Sequence, residues 1–139
     1  MAANDKPIFT LIANVGMAEV DSANTESDGT GDLDTLFTAG SNGSLVFKLR
    51  YRNAQSSAAA SSANVIRFFL TDTGGINPRL LHEIALPAAT RTTAVIGAGG
   101  SYTFDPPLSL ASGQLIQVCQ SVYAGVQDLM HYIAEGGDF

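Results

Sequence analysis

The chain has 139 residues, of which 45% are hydrophobic and only 14% are charged, and its formal net charge is −6 at pH 7. This length predicts a single domain that can bury a core of its own. The acidic balance excludes the basic face that nucleic-acid binding by counterion release requires. Charge this sparse, against about 25% in typical domains, indicates a surface of small polar residues or one partly covered by other subunits.

The N-terminal segment lacks the basic and apolar stretches of a signal peptide, and no apolar run approaches the ~20 residues that span a bilayer. We therefore expect synthesis in a cytoplasm and no membrane partner. A first strand is predicted over Ile8–Ala13. It belongs to an extended N-terminal arm of about residues 1–14, which is suited to reach a neighbouring subunit by adding a strand to its sheet.

An acidic, turn-rich loop is predicted over about residues 19–34, which hold six of the thirteen carboxylates. Asp28, Asp32 and Asp34 offer the hard oxygen ligands that calcium prefers. Their spacing does not match an EF-hand loop, and no glutamate follows at the position of a bidentate ligand. The sequence favours a loop that faces solvent or a partner, with an ion as the alternative.

Strand signals resume at Leu33–Thr38, and a turn at Gly40–Gly43 contains Asn42-Gly43, a strong hairpin signal. The next strand, Leu45–Arg52, alternates strictly between apolar and basic residues. This period of two predicts a core face and an outer face. The core face is predicted to hold Leu45, Phe47, Leu49 and Tyr51. The outer face is predicted to hold the basic ladder of Lys48, Arg50 and Arg52.

Residues 54–64 are rich in Ala and Ser without an apolar stripe and predict a loop. Further strands are predicted in chain order between the Gly and Pro breaks: Val65–Thr71, Arg79–Leu86, Thr92–Ile96, Tyr102–Leu110, Leu115–Val122 and Leu129–Ala134. Thr92–Ile96 is predicted from its β-branched residues, and Tyr102–Leu110 from the shared parity of its apolar residues. Two prolines place the Tyr102–Leu110 strand at an edge or a bend. Eight or nine short strands without a helix predict an all-β, antiparallel, jelly-roll-like sandwich in one domain over residues 1–139.

Residues that could carry chemistry are few. Cys119 lies alone in an apolar strand and reads as a small buried hydrophobe. His82 and His131 have no second ligand at metal spacing, and no nucleophile elbow occurs. We therefore expect no catalysis, no cofactor and no metal. The basic ladder remains the best polar feature: it either faces solvent, where it discourages aggregation, or meets carboxylates of a neighbouring subunit.

A series of short segments, in this order, resembles small virion proteins of tailed bacteriophages of the capsid decoration, or cement, type. The segments cover most of the chain: Lys6-Pro7-Ile8-Phe9-Thr10, Asn24-Thr25, Asp28-Gly29-Thr30-Gly31, Leu36 to Ser44, Val65 to Leu70, Leu81-His82-Glu83, Pro107-Leu108 with Leu110 and Gly113, and Gly136-Gly137-Asp138-Phe139. All of them are turn and strand signals, so the resemblance carries over no site residue.

The resemblance implies a structural protein on the outer capsid surface of the virion, bound to the lattice of the major capsid protein and forming a homotrimer. The alternatives are a tail, neck or head-fibre protein and, less favoured, a carbohydrate-binding jelly roll. A cement role needs segments that reach neighbours. The partner-binding candidates are the arm residues Lys6, Pro7, Ile8 and Phe9, the acidic-loop residues Asp28, Asp32 and Asp34, and the basic ladder.

Overall fold

A computed structural model describes residues 10, 12–55 and 59–139 of the chain. This part of the chain forms eight strands and one short 3-10 helix at Val126–Asp128. The strands are β1 (Ile12–Val20), β2 (Asp34–Thr38), β3 (Ser44–Asn53), β4 (Asn64–Thr71), β5 (Arg79–Leu86), β6 (Gly99–Leu110), β7 (Leu115–Gln120) and β8 (Met130–Asp138).

The strands form two four-stranded sheets, in the order β1-β8-β3-β6 for the first and β2-β7-β4-β5 for the second. Every neighbouring pair is antiparallel. This order, with chain-distant strands such as β1 and β8 side by side, is that of an eight-stranded jelly roll. The predicted all-β antiparallel sandwich is confirmed, and the proline-bearing β6 is an edge strand as expected.

The core lies between the sheets and consists of the inward-facing side chains of both. Phe68 of the second sheet meets Tyr132 of the first edge-on, with ring centroids 6.1 Å apart. The fully buried members include Val20, Leu36, Phe37, Val46, Leu49, Ile66, Ile116 and Val118. Alternation along each strand sends every second residue to this core and leaves the others on the two outer faces.

The strict alternation predicted for Leu45–Arg52 is wrong at its start because β3 contains a β-bulge between Val46 and Lys48. The extra residue at a bulge shifts the side-chain pattern by one position. Val46 is therefore fully buried, while Leu45 and Phe47, both predicted for the core face, do not belong to the core, and Phe47 is 39% exposed. Beyond the bulge the prediction holds, with Leu49 buried and Tyr51 packed against the core.

Two other predicted elements differ. Thr92–Ile96 is not a strand but a turn, in which Thr92 and Val95 exchange backbone hydrogen bonds and the Thr92 hydroxyl accepts from Ala94 and Val95 N–H groups. The last strand, predicted to end at Ala134, continues through Gly136-Gly137 to Asp138. The first difference arises because β-branched residues favour a strand only where a neighbouring strand is present. The second arises because Gly136 and Gly137 do have such neighbours, since they pair with β1 and β3.

The connections divide by length between the two ends of the sandwich. At the loop end lie the longer connections, residues 21–33, 54–63, 87–98 and 121–129. At the turn end lie the tighter connections, residues 39–43, 72–78 and 111–114. Buried Asp128 holds two loop-end connections together, since its carboxylate accepts hydrogen bonds from Ser62 N–H (2.7 Å) and Ala124 N–H (2.8 Å).

Candidate functional site

The acidic loop, as the structure has it, comprises residues 21–33 between β1 and β2. It folds back over the outer face of the second sheet and is called here the covering loop. Asn24 organises it. The Asn24 amide donates to the carbonyls of Thr30 (2.9 Å) and Asp32 (2.8 Å), and its oxygen accepts from Glu26 N–H (3.0 Å). The Asn24 backbone N–H donates to the Gln120 carbonyl at 2.8 Å, which ties the loop to β7.

Two buried side chains of the second sheet lie outside the main core. Phe69 and Cys119 belong to the strands of the second sheet and are buried, yet neither is part of the core between the sheets. Gly29, at φ +88°, sits so close that a Cβ there would lie 2.5 Å from Pro78 and 3.5 Å from Phe69. Arg67 reaches the loop from β4, donating to the Thr25 carbonyl at 3.4 Å. The loop therefore covers Phe69, whereas Leu80, its cross-strand neighbour on β5, stays 44% exposed on the same face.

The three aspartates named from the sequence have different surroundings. Asp28 is exposed, and hydrogen bonds from the Thr30 hydroxyl (2.7 Å) and N–H lower its pKa. Asp34 starts β2, where burial, with the charges of Asp21 and Asp32, raises its pKa. Asp32 is exposed. In the described ranges no three His, Cys, Asp or Glu side chains gather where a metal ion could be held.

The outer face of the first sheet has no such cover and is called here the open face. Strand pairing arranges its outward side chains in three rows that cross β1, β8, β3 and β6 in turn. The rows are Val15–Glu135–Lys48–Thr103, Met17–Ile133–Arg50–Ser101 and Glu19–His131–Arg52–Gly99. All three residues of the basic ladder thus lie in one column on β3, as the sequence predicted.

An apolar strip occupies the β1 and β8 side of the open face. Met17 is 73% exposed, Val15 56% and Ile133 37%. Met17 stands directly opposite Ile133 in the sheet, and Val15 lies on the same face one row away. Neighbouring residues on one face of an antiparallel pair are close enough to form a continuous surface. The strip of Val15, Met17 and Ile133 is therefore a contiguous apolar patch, which is typical of interaction sites.

Charged residues border the apolar strip. Arg50 forms an ion pair with Glu135 at 2.9 Å, and His131 Nε2 lies 2.9 Å from a Glu19 carboxylate oxygen. Arg52 donates to the Gly97 carbonyl at 3.3 Å. Across the part of the chain that the structure covers, no carboxylate lies within ion-pair distance of Lys48 or Arg52. Arg50, the middle residue of the ladder, is therefore paired with a carboxylate of its own chain, whereas the charges of Lys48 and Arg52 remain available to a partner.

The apolar strip was not predicted, although the sequence contains a signal for it. Val15, Met17 and Glu19 share one parity, which indicates one outer face of a strand. The strand was predicted to begin and end earlier, over Ile8–Ala13. Residues 12–14 of the predicted arm in fact belong to β1, whereas Lys6, Pro7, Ile8 and Phe9 lie outside the described residues. Glu19 and Asp34, the predicted limits of the acidic loop, belong to β1 and β2.

The remaining candidates occupy ordinary structural positions. Cys119 is buried as predicted, and burial raises the pKa of its thiol. His82 stacks on Tyr102 with ring centroids 3.9 Å apart and joins the edge strands β5 and β6. These residues make the protein suited to binding through the open face, which combines an apolar strip with charges of both signs.

No protein-family model matches the chain, and no curated protein is significantly similar to it in sequence. None of the described residues belongs to a helix that is long and apolar enough to cross a membrane.

Proposed function

We propose that the protein is a non-enzymatic virion component that decorates and stabilises the outside of a tailed-phage capsid. The observation that carries the proposal is the open face of the first sheet, which presents the strip of Val15, Met17 and Ile133 between charged residues. On the second sheet, by contrast, the covering loop shields Phe69. A rigid β scaffold with one uncovered adhesive face suits a protein whose task is to bind other subunits. The resemblance of its segments to capsid decoration proteins supplies the class of partner.

The proposed partners are the lattice of the major capsid protein and further copies of the chain in a homotrimer. A protein that binds only the folded, assembled shell stabilises it by mass action. Three linked copies present three equivalent contacts to the lattice, which raises the avidity of binding without any new type of contact. The protein would be made in the cytoplasm of the bacterial host and reside on the outer capsid surface.

The N-terminal arm is the proposed contact with the shell. In this proposal Lys6-Pro7-Ile8-Phe9 binds as an added strand at the edge of a neighbour's sheet, a mode that gains main-chain hydrogen bonds with little demand on sequence. Since β1 begins at Ile12, a chain without residues 2–9 keeps every described strand. We expect this deletion to abolish binding to the shell and to leave the far-ultraviolet circular dichroism spectrum and thermal transition unchanged. Full binding by the deletion variant would refute the role of the arm.

Co-sedimentation with separated heads and tails of the phage that encodes the chain tests the function. We expect saturable pelleting with heads at a ratio that matches the three-fold positions of the lattice. Pelleting with tails alone would favour the tail, neck or head-fibre role. Pelleting with neither, together with binding on a glycan array, would favour a carbohydrate-binding module.

A further inference from the structure

We infer that Asn42 is a site of self-modification, at which the chain converts its own side-chain amide into a carboxylic acid. The products are aspartate or isoaspartate together with ammonia. The reaction needs only the chain and water, so the inference goes beyond the proposed function and does not depend on it.

The bonds that change lie within the Asn42-Gly43 dipeptide. The Gly43 nitrogen loses its proton to a base and forms a bond to Cγ of Asn42. The Cγ–Nδ2 bond breaks, and Nδ2 takes up a proton and leaves as ammonia, which completes a cyclic succinimide. Water then opens the ring. Addition at Cγ gives aspartate, whereas addition at the main-chain carbonyl carbon gives isoaspartate, in which Cβ becomes an extra atom of the backbone.

The first argument is the residue that follows Asn42. A Cβ on that residue hinders the approach of its nitrogen to the asparagine side chain, and glycine has none. Asn42 alone among the asparagines of the chain precedes a glycine. Asn77, by contrast, precedes Pro78, whose nitrogen has no proton to lose. Asn42 is therefore the asparagine whose backbone neighbour attacks with the least hindrance.

The second argument is that water and base reach Asn42. Its side chain is exposed on the turn between β2 and β3, and its amide donates to the main-chain oxygen of Phe139 at 3.3 Å. Three other asparagines, Asn24, Asn53 and Asn64, are buried, and hydrogen bonds to the backbone fix their side chains. The fold thus protects these amides and leaves that of Asn42 accessible.

The third argument is that the folded turn controls the rate. The Gly43 N–H, whose proton must leave, donates to the Gly40 carbonyl at 3.0 Å. The Ser44 hydroxyl holds Gly40 in place, since it accepts from the Gly40 N–H at 2.9 Å and donates to the Asp138 carboxylate. The Gly43 nitrogen is therefore free to attack only while the turn is open. The rate of conversion reports this local opening.

Modification disturbs a packed position. Gly43 lies at φ +87°, and a Cβ there would stand 2.7 Å from the Leu110 carbonyl oxygen. The Gly43 carbonyl accepts from the Phe139 N–H at 3.2 Å. An extra backbone atom at residue 42 displaces Gly43 from these contacts, and a carboxylate at residue 42 no longer donates to Phe139. Because β3 begins at Ser44, between β6 and β8, isoaspartate loosens the turn ends of three strands together.

Peptide mapping by mass spectrometry tests the site. Purified wild-type protein is incubated at mildly alkaline pH, where the attacking nitrogen loses its proton more readily. Electron-transfer fragmentation, which tells isoaspartate from aspartate, should find conversion at Asn42 and at least about tenfold less at buried Asn24 and Asn53. Asn42→Gln is the matched variant and should show no conversion at residue 42, because glutamine must close a larger ring. An intact Asn42, or equal conversion at the three asparagines, would overturn the inference.

A second variant tests the control by the turn. Ser44→Ala removes the hydroxyl that holds Gly40 and should speed the conversion of Asn42 by about tenfold. Ser101→Ala, at an exposed position of β6, is the control and should leave the rate at the wild-type value. Equal rates in the wild type and Ser44→Ala would show that opening of the turn does not limit the reaction.

The consequence is measured on the converted protein itself. Each conversion adds a negative charge, so anion exchange separates the product from the starting chain. The isoaspartate form should unfold at a temperature a few degrees lower than the unconverted chain, whereas Asn42→Asp, which keeps the backbone length, should show a smaller shift. An unchanged thermal transition of the isoaspartate form would refute the effect on β3, β6 and β8.

Discussion

Gly16 of β1 lies against the backbone of Leu36 in β2, so closely that a Cβ at residue 16 would stand 1.8 Å from the Leu36 carbonyl oxygen. The contact brings an edge strand of the first sheet onto an edge strand of the second. One side of the sandwich is therefore closed by direct backbone approach. On the opposite side, the β5 and β6 edges are joined by the side-chain stack of His82 on Tyr102.

Gly16→Ala should be among the most damaging small substitutions in the chain. The added methyl group meets a backbone oxygen that cannot rotate away, so β1 and β2 must separate. We expect a loss of about 3 kcal/mol in the free energy of unfolding, measured by urea denaturation. Ala13→Ser, at an exposed position of the same strand, should change stability by less than about 0.5 kcal/mol. Equal effects of the two substitutions would show that the close approach is not required.

Asn24→Ala should loosen the covering loop. The substitution leaves the Thr30 and Asp32 carbonyls and the Glu26 N–H without their partner, at a cost of about 1–3 kcal/mol. Buried Cys119 is the cross-strand neighbour of Arg67, which bonds to the loop at Thr25, so its reaction with a thiol reagent should accelerate when the loop loosens. Asp28→Asn is the control, because Asp28 bonds only to Thr30 on the exposed side of the loop. A Cys119 labelling rate that stays at the wild-type value in Asn24→Ala would contradict the covering role.

Asp138 should make folding depend on pH in the acid range. Hydrogen bonds from Ser44 and Asn14 lower its pKa below the ordinary 3.8. Because the pKa of Asp138 is lower in the folded than in the unfolded state, its carboxylate stabilises the fold at pH values above the unfolded-state pKa. This stabilisation is lost as the pH falls through about 4 and below. The stability difference between wild type and Asp138→Asn should therefore be present at pH 6 and shrink towards pH 2.5. Denaturant titrations at several pH values measure it, with exposed Asp105→Asn as the control.

Arg50→Glu tests the basic ladder. The substitution places like charges beside Glu135 and should lower the free energy of unfolding by less than about 1 kcal/mol, because the pair is exposed. Assembly should weaken more at low salt than at high salt. The double variant Arg50→Glu with Glu135→Arg restores the pair within the chain. Assembly that stays weak in this variant assigns Arg50 a role towards the partner, whereas wild-type assembly by Arg50→Glu at low salt would remove the ladder from the interface.

Much of the fold follows from local pattern. The Asn42-Gly43 turn, the strand at Val65–Thr71 and the prolines of the edge strand β6 are short-range signals, and the structure agrees with each of them. The strand predicted at Thr92–Ile96 is absent, because β-branched composition says nothing about whether a neighbouring strand is available for pairing. The bulge at Val46 was not predicted for a similar reason, since it depends on how β3 pairs with both β6 and β8.

The candidate site was predictable only in part. The basic ladder could be placed on one face because its three members are alternate residues of one strand and therefore point to the same side of the sheet. The covering loop could not be predicted, because its position depends on contacts between distant residues, such as Asn24 with Gln120 and Gly29 with Pro78. The predicted last strand stopped at Ala134, short of Gly136, for the same reason. A Cβ there would lie 2.4 Å from the Leu45 carbonyl oxygen, a restriction visible only once β8 is paired with β3.

The covering loop also bears on how much apolar surface the second sheet offers to other molecules. Residues 21–33 of the same chain lie over Phe69, which is fully buried. Leu80, the cross-strand neighbour of Phe69, stays 44% exposed at the edge strand β5. The loop therefore reduces the apolar area of this sheet face to its margin, and a chain that lost the loop would expose both residues side by side.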